Sequence, residues 1–214
     1  MEDQSDFGTR ERLLKSAREV FAERGVKEAT VRSICARAGA NVAAVNYYFG
    51  GKEKLFIAVL SDYMLAAHQR FPIDMDLAPG ATAQDRLKAY VRSMLYKFLG
   101  DGDPLYEKLG LLLTTEIIDP SENFSEITER FIMPQHDVLV GIVRELMLPG
   151  TAERAVHLCA AGVVGYCLLF DNMRQLIRRM CPEMALENLG VELVARFIFE
   201  FSLAGIERMN AFKE

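Results

Sequence analysis

Apolar side chains recur along this chain at three- and four-residue intervals, the spacing of one face of an α-helix. Leu13, Leu14, Ala17, Val20 and Phe21 make the first such face, opposite Arg12, Lys15, Arg18 and Glu19. Thr9 is placed to cap this helix, and Gly25 to end it with a positive φ. A short helix follows, opened by Thr30, with Val31, Ile34 and Ala38 inward and Gly39 closing it. Asn41 caps a third over Val42 to Phe49, and Gly50-Gly51 breaks the chain. A fourth starts at Lys52 and carries Leu55, Phe56, Val59 and Leu60 on toward Arg70.

The segment 72–81, with two prolines and a glycine, reads as a loop. Beyond it the spacing predicts helices over 82–99, 104–118, 122–147 with a break at Pro134, 151–180 and 186–211. Sustained two-residue alternation is missing, and so is an Asn-Gly or Asp-Gly hairpin between alternating apolar residues. The expected fold class is all-α.

Composition narrows the picture further. In 214 residues, 50% apolar and 26% charged, there is material for a sizeable core, which excludes a disordered or collagenous chain. The longest nearly unbroken apolar run, Leu158 to Phe170, is well short of the roughly 20 residues that span a bilayer. The polar, acidic N-terminus lacks the basic and apolar parts of a secretory signal, so a cytoplasmic protein without membrane contact is expected. Cys35, Cys159, Cys167 and Cys181 lie far apart, a pattern for reduced thiols and not for a zinc site or a disulfide framework.

Net charge is −5, but it is unevenly placed. Residues 9–55 hold ten Lys or Arg against five acids, a surplus of five positive charges that leaves the rest ten negative. A basic end on an acidic body suits a protein that meets phosphates at one end. Two short helices joined by a tight Gly-Ala-Asn turn, braced by a longer first helix, form a helix-turn-helix. Its later helix enters the major groove N-terminus first. Asn41, Val42, Ala43, Ala44 and Asn46 are small or able to hydrogen-bond, as approach to base edges requires. Tyr47 and Tyr48 can reach phosphate oxygens, or be core aromatics. Lys52, on the first turn of a helix, opposes the macrodipole unless an anion arrives there; its other reading is a solvated surface charge.

Three blocks, LLKSAREVFAERG, TVRSICARAG and YYFGGKEKLF, follow the order and gaps of ILxAAxxLFxxxG, TxxxIAxxAG and YHFxxKxxLF. Residues 12–56 thus closely resemble the DNA-binding domain of the TetR/AcrR family of bacterial transcriptional regulators. The segment NVAAVNYYFGGKEKLF and the long acidic body look like the CecR-type subgroup, which is associated with drug-sensitivity and efflux genes. The resemblance implies an all-helical homodimer. It assigns residues 1–56 to DNA, with a recognition helix near 41–49, and 57–214 to effector binding and dimerisation. By it Thr30, Ala40, Asn41, Val42, Ala43, Ala44, Tyr47, Tyr48 and Lys52 stand where the family touches DNA. Tyr48 replaces the usual His, and Asn46 a common Tyr, which leaves base preference open.

The resemblance also implies a seam made by the last two helices. The apolar run 158–170 and the stripe Val191, Val194, Ile198, Phe201 and Ile206 suit it, so Gly162, Gly165, Leu169, Val194, Ile198 and Phe201 are the expected interface residues, with an ordinary monomer core as the other reading of the same pattern. A pocket for a small apolar or amphipathic effector is implied between the fourth helix and the body. His68, Tyr96, Glu116, Asp171 and Arg174 are its polar candidates, although each could equally be exposed or paired. No P-loop, G-x-S-x-G, H-E-x-x-H or dinucleotide turn is found, and the three histidines are scattered, so neither an enzyme nor a cofactor or metal is expected. The implied function is a ligand-responsive repressor on a palindromic operator. An activator, or a DNA-anchored protein whose body binds a protein partner, is the alternative.

Overall fold

The computed structural model describes residues 3–185 and 189–210. The described residues contain no strand, so the all-α expectation holds. In chain order the helices are α1 (Asp3–Glu28), α2 (Val31–Ala38), α3 (Val42–Phe49), α4 (Lys52–Arg70), α5 (Ala83–Leu99) and α6 (Pro104–Ile118). A single turn, α7 (Ser125–Ile127), precedes α8 (Met133–Leu146), α9 (Glu153–Asn172), α10 (Arg174–Met180) and α11 (Val191–Met209).

Several boundaries differ from the expected ones for local reasons. No proline interrupts the chain between Asp3 and Thr9, so α1 extends upstream and Thr9 lies inside it. Its hydroxyl accepts from Arg12 Nη2 at 3.0 Å instead of capping. Gly25 does interrupt the helical geometry, with φ 72°. Pro134 does not break its helix: it sits in the first turn of α8, where a missing N–H leaves no hydrogen bond unmade. The break comes earlier, where 3₁₀ geometry over Glu122–Phe124 and a π-helical Thr128–Ile132 flank α7. The predicted helix 151–180 divides at Met173. The expected limits of the last helix, 186 and 211, lie outside the described residues.

The chain forms two compact units, one of Met1–Ala66 with Gly102–Thr128, the other of Ala67–Asp101 with Glu129–Glu214. The core of the first is built from Leu13, Ala17 and Phe21 of α1, Ile34 of α2, Val45 of α3, and Leu55 and Phe56 of α4. The Phe21 and Phe56 rings meet edge to face at 5.2 Å. Helix α6, started by Asp103 capping and Pro104, packs on α1 and contributes Leu109 and Leu113.

The second unit is organised around α5, which packs against α8, α9 and α11. Its core is built from Leu87, Tyr90 and Leu95 of α5, Leu139 and Val143 of α8, Val156 and Cys167 of α9, and Val194 and Ile198 of α11, all buried. By length and composition the 20-residue α9 could cross a bilayer, which its shorter apolar run does not suggest. It packs instead against α5, α8 and α11, and its buried face carries Val156, Ala160, Val163 and Cys167. Burial pushes the Cys167 thiol up to about 12 and also raises Cys35 and Cys159, so these three are held as thiols. All four cysteines are free.

Candidate nucleic-acid interface

Each helix of the pair α2–α3 is fixed at both ends by its own sequence. Thr30 Oγ1 accepts from the Ser33 N–H at 3.1 Å, and Ser33 Oγ accepts from the Thr30 N–H at 3.3 Å, a reciprocal cap on α2. Gly39, left-handed at φ 62°, ends that helix. Two residues later Asn41 Oδ1 accepts from the Ala43 N–H at 2.9 Å and starts α3. Val45 and Phe49 anchor α3 in the core. The opposite side carries Val42, Ala43, Asn46 and Tyr47, a face with i, i+1, i+4, i+5 spacing that is open to solvent.

Tyr47 is 77% exposed, so it is not a core aromatic; Tyr48 is half-buried and meets its ring at 4.8 Å. Thr30 and Asn41 are exposed but have their oxygens committed as caps. Ala40 and Ala44 are half-buried in the turn and along the flank of α3.

Lys52 answers its electrostatic puzzle from another direction. Its Nζ donates to the Val26 carbonyl at 3.0 Å and the Ala29 carbonyl at 3.3 Å. A cation that opposes the dipole of its own helix therefore serves the electronegative end of α1, without any external anion. Lys52→Met should cost about 1–2 kcal/mol through the lost carbonyl hydrogen bonds. Thermal unfolding followed by circular dichroism should then show a midpoint lower by roughly 2–8 °C. An unchanged midpoint would mean that these contacts are not formed in solution.

The surplus of positive charge is partly spent inside the unit. Arg37 forks onto Glu23 at 2.8 and 2.7 Å and reaches Glu19, Arg18 pairs with Asp62, and Arg12 Nε donates to the Ala38 carbonyl at 3.2 Å. The hydrogen bond from Arg37 holds the Glu23 carboxyl below its usual range. Three exposed cations outside the expected set lie in this unit: Arg10, 5.2 Å from the Phe49 ring centroid, Arg32 on the first turn of α2, and Lys54 beside Gly50. Their signal was present in principle, since Arg32 and Lys54 stand two residues beyond Thr30 and Lys52 on exposed first turns.

Residues 13–59 match the family described as bacterial regulatory proteins, tetR family. Residues 83–206, more than half of the chain, match the C-terminal domain of the HTH-type transcriptional dual regulator CecR. The chain belongs to the TetR family, with a CecR-type body. It is 28% identical over 193 residues to CecR of Shigella flexneri, covering 86% of this chain and 85% of that one. To the HTH-type transcriptional regulator SrpR of Pseudomonas putida it is 29% identical over 145 residues, or 66% of this chain. That match spans 64% of SrpR, less than two thirds of its length. Bacillus subtilis FadR, solved with stearoyl-CoA, shares the fold at a TM-score of 0.66 and 18% identity, covering 91% of this chain and 97% of that one.

In this TetR-family chain the expected effector residues do not form one cluster. Glu116 lies in the first unit, where it accepts from the Ser121 N–H and hydroxyl at 3.2 and 2.8 Å and closes the turn after α6. The other four lie in the second unit but in separate pairs. His68 faces the Phe131 ring at 5.6 Å. Tyr96 stacks on Phe71 at 5.2 Å and donates to Glu192 at 2.8 Å, so that burial and this hydrogen bond raise its hydroxyl pKa. Asp171, buried, pairs with Arg174 at 3.1 Å. A buried cation absent from the expected set is Lys97, whose Nζ donates to Gln135 Oε1 at 2.7 Å.

Two of the six expected seam residues are buried within the single chain. Val194 and Ile198 are 2% and 0% exposed, because α5 and α9 of the same chain cover that side of α11. The open side carries Leu193, Phe197 and Phe201. Gly162, Gly165 and Leu169 are exposed on α9. Between the two helices lies a groove of about 370 Å³ lined by Leu158, Gly162, Tyr166, Phe201, Gly205 and Met209.

Proposed function

We propose that this regulator is an effector-responsive repressor, cytoplasmic and homodimeric, that binds a palindromic operator through the helix-turn-helix within residues 1–56. Residues 57–214 then hold a small apolar or amphipathic effector and the dimer seam. The observation that carries the DNA-binding reading is α3: capped by Asn41 and anchored by Val45 and Phe49, it presents Val42, Ala43, Asn46 and Tyr47 to solvent. In this reading Asn46 and the small residues address base edges, while Tyr47, Tyr48 and Thr30 address phosphates together with Arg10, Arg32 and Lys54. Lys52 sets the position of α4 against α1.

Support for the seam comes from what the single chain leaves unexplained. Glycine in mid-helix costs about 1 kcal/mol relative to alanine, yet a Cβ at Gly162 or Gly165 would meet nothing within 4 Å. Close approach by a second copy gives those glycines a reason, and half-exposed Phe197 and Phe201 a place. The stearoyl-CoA bound by Bacillus subtilis FadR, which shares the fold, supports an effector with apolar character. Effector binding would shift α4 and with it the spacing of the two recognition helices; coupling of about 1–3 kcal/mol gives a 5- to 150-fold change in operator affinity.

The test is fluorescence anisotropy with DNA from the protein's own upstream region at several stated salt concentrations. Tyr47→Ala and Asn46→Ala should each weaken binding by roughly 5- to 150-fold, Asn46→Ala with relaxed sequence preference. Arg32→Ala should weaken all sequences alike and lower the salt slope by about 1. Failure to select any preferred duplex from a random-sequence pool would overturn the DNA-binding reading. An effector screen that leaves operator affinity unmoved would overturn the ligand-responsive one.

A further inference from the structure

We propose that His136 on α8 and His157 on α9 form a binding site for one divalent transition-metal ion, of the nickel, copper or zinc kind, that ties the two helices together.

The fold brings together what the sequence scatters. His136 and His157 stand on different helices, yet their ring centroids lie 5.7 Å apart and their planes are within 16° of parallel. Helices α8 and α9 pack on each other, and Arg144 of α8 forks onto Glu153 of α9 at 3.1 and 2.8 Å, so the backbones that carry the two rings are held without any ion. Neutral imidazole is the commonest protein ligand for ions of this kind, whereas Mg²⁺ and Ca²⁺ want oxygen.

Magnitudes decide whether one ion can reach both rings. An imidazole nitrogen lies about 2.0–2.1 Å from such an ion, so two of them in tetrahedral arrangement put their ring centroids roughly 5 Å apart. The observed 5.7 Å is within a small side-chain movement of that, and the rotation needed is about χ2, a soft torsion in histidine. His136 is half-buried and His157 is 54% exposed, which gives an ion a path from solvent.

Glu153 completes the surroundings. One turn before His157 on α9, its Oε2 lies 4.0 Å from His157 Nε2. Its oxygens are taken up by Arg144, so it serves beside the ring and not as a ligand; a carboxylate in that position orients a metal-binding histidine and raises its basicity. Among the described residues no three His, Cys, Asp or Glu side chains are grouped to hold an ion. The site is therefore an open one, with two nitrogens from the protein and water in the remaining positions. It is weaker than a four-ligand structural centre and fills and empties with the free ion concentration.

Equilibrium dialysis of the full chain, without a histidine tag, against Ni²⁺ counts the ions bound, with Mg²⁺ as the control. The variants are His136→Gln and His157→Gln, with Cys159→Ser and Cys181→Ser to test the thiols, and circular dichroism confirms that each is folded. One Ni²⁺ should bind per chain. Loss of an outer-shell partner alone weakens a metal site by about 10- to 100-fold, so each histidine variant should weaken binding by at least tenfold, and the cysteine variants should leave it unchanged. Because the ion bridges the two helices only in the folded chain, Ni²⁺ should also raise the thermal midpoint of the wild type and of neither histidine variant. Binding that survives both histidine substitutions, or that Mg²⁺ reproduces, is an adventitious ion only and overturns the site. If His157→Gln abolishes binding and His136→Gln does not, the ion sits on α9 alone and the two-helix site fails. Absence of binding at millimolar Ni²⁺ overturns it outright and leaves the two rings as a plain stacked pair.

Discussion

Lys97→Met should make the protein more stable at pH 7 and less stable at pH 10.5. Lys97 is 3% exposed, and burial pushes its ammonium down to about 8 from an ordinary 10.5. Below pH 8 the folded chain holds a proton on a desolvated amine, at a cost of about 3 kcal/mol relative to the unfolded chain. Between pH 8 and 10.5 the unfolded chain still binds that proton and the folded chain has released it, so wild-type stability rises with pH by about 1.4 kcal/mol per unit. Above 10.5 the cost is gone. Methionine removes the cost at every pH but leaves Gln135 Oε1 without its donor, a loss of about 1–2 kcal/mol. The two effects together give a net gain of about 1–2 kcal/mol at pH 7 and a net loss at pH 10.5. Cys167 and Tyr90, both raised by burial, act in the opposite direction at high pH but are common to the two proteins and cancel in the difference. Urea unfolding of both at fixed protein concentration checks this, and a difference that keeps one sign from pH 7 to 10.5 would show that Lys97 is not a buried cation.

The same residue shows where sequence reading stops. In the stretch Leu95-Tyr96-Lys97-Phe98 a lysine is an ordinary solvated charge by every local rule. Tertiary packing encloses it, and Gln135 on α8, 38 residues away, accepts from its ammonium. Lys52 is similar: its anomaly at a helix start is legible, but its resolution is two carbonyls more than twenty residues earlier. By contrast the caps at Thr30 and Asn41 and the stop at Gly39 are legible because each depends on residues within a turn of itself. The exposed face of α3 follows from the caps and two apolar anchors, which is why that part of the candidate interface could be read in advance. The effector candidates could not, since polar residues on apolar helices are chosen by spacing, whereas a partner such as Glu192 for Tyr96, 96 residues away, is chosen by packing.

The seam marks the limit most sharply, and it carries the other large prediction. Helix α11 is apolar on two sides, and the stripe read from the sequence, Val191, Val194, Ile198, Phe201 and Ile206, mixes residues of both without saying which side meets the chain's own core. The structure assigns Val194 and Ile198 to that core and leaves Phe197 and Phe201 outside, their rings stacked at 6.0 Å. Phe197→Glu with Phe201→Glu should therefore leave the fold intact, because these side chains are half exposed in the single chain. Two-fold symmetry counts each substitution twice, and burying an unpaired carboxylate costs at least about 2 kcal/mol per site. A dimer built on this face buries four such carboxylates and loses at least about 8 kcal/mol, which is more than about 10⁵-fold in its dissociation constant. Operator affinity should fall by at least about a hundredfold, since each half-site then binds without the effective concentration that the partner supplies. Val194→Glu is the informative contrast: it puts a charge into the core of the second unit and should unfold the protein rather than separate two folded copies. Sedimentation velocity and circular dichroism on the two variants distinguish these outcomes. A folded, fully dimeric phenylalanine variant would place the seam on another face of the second unit.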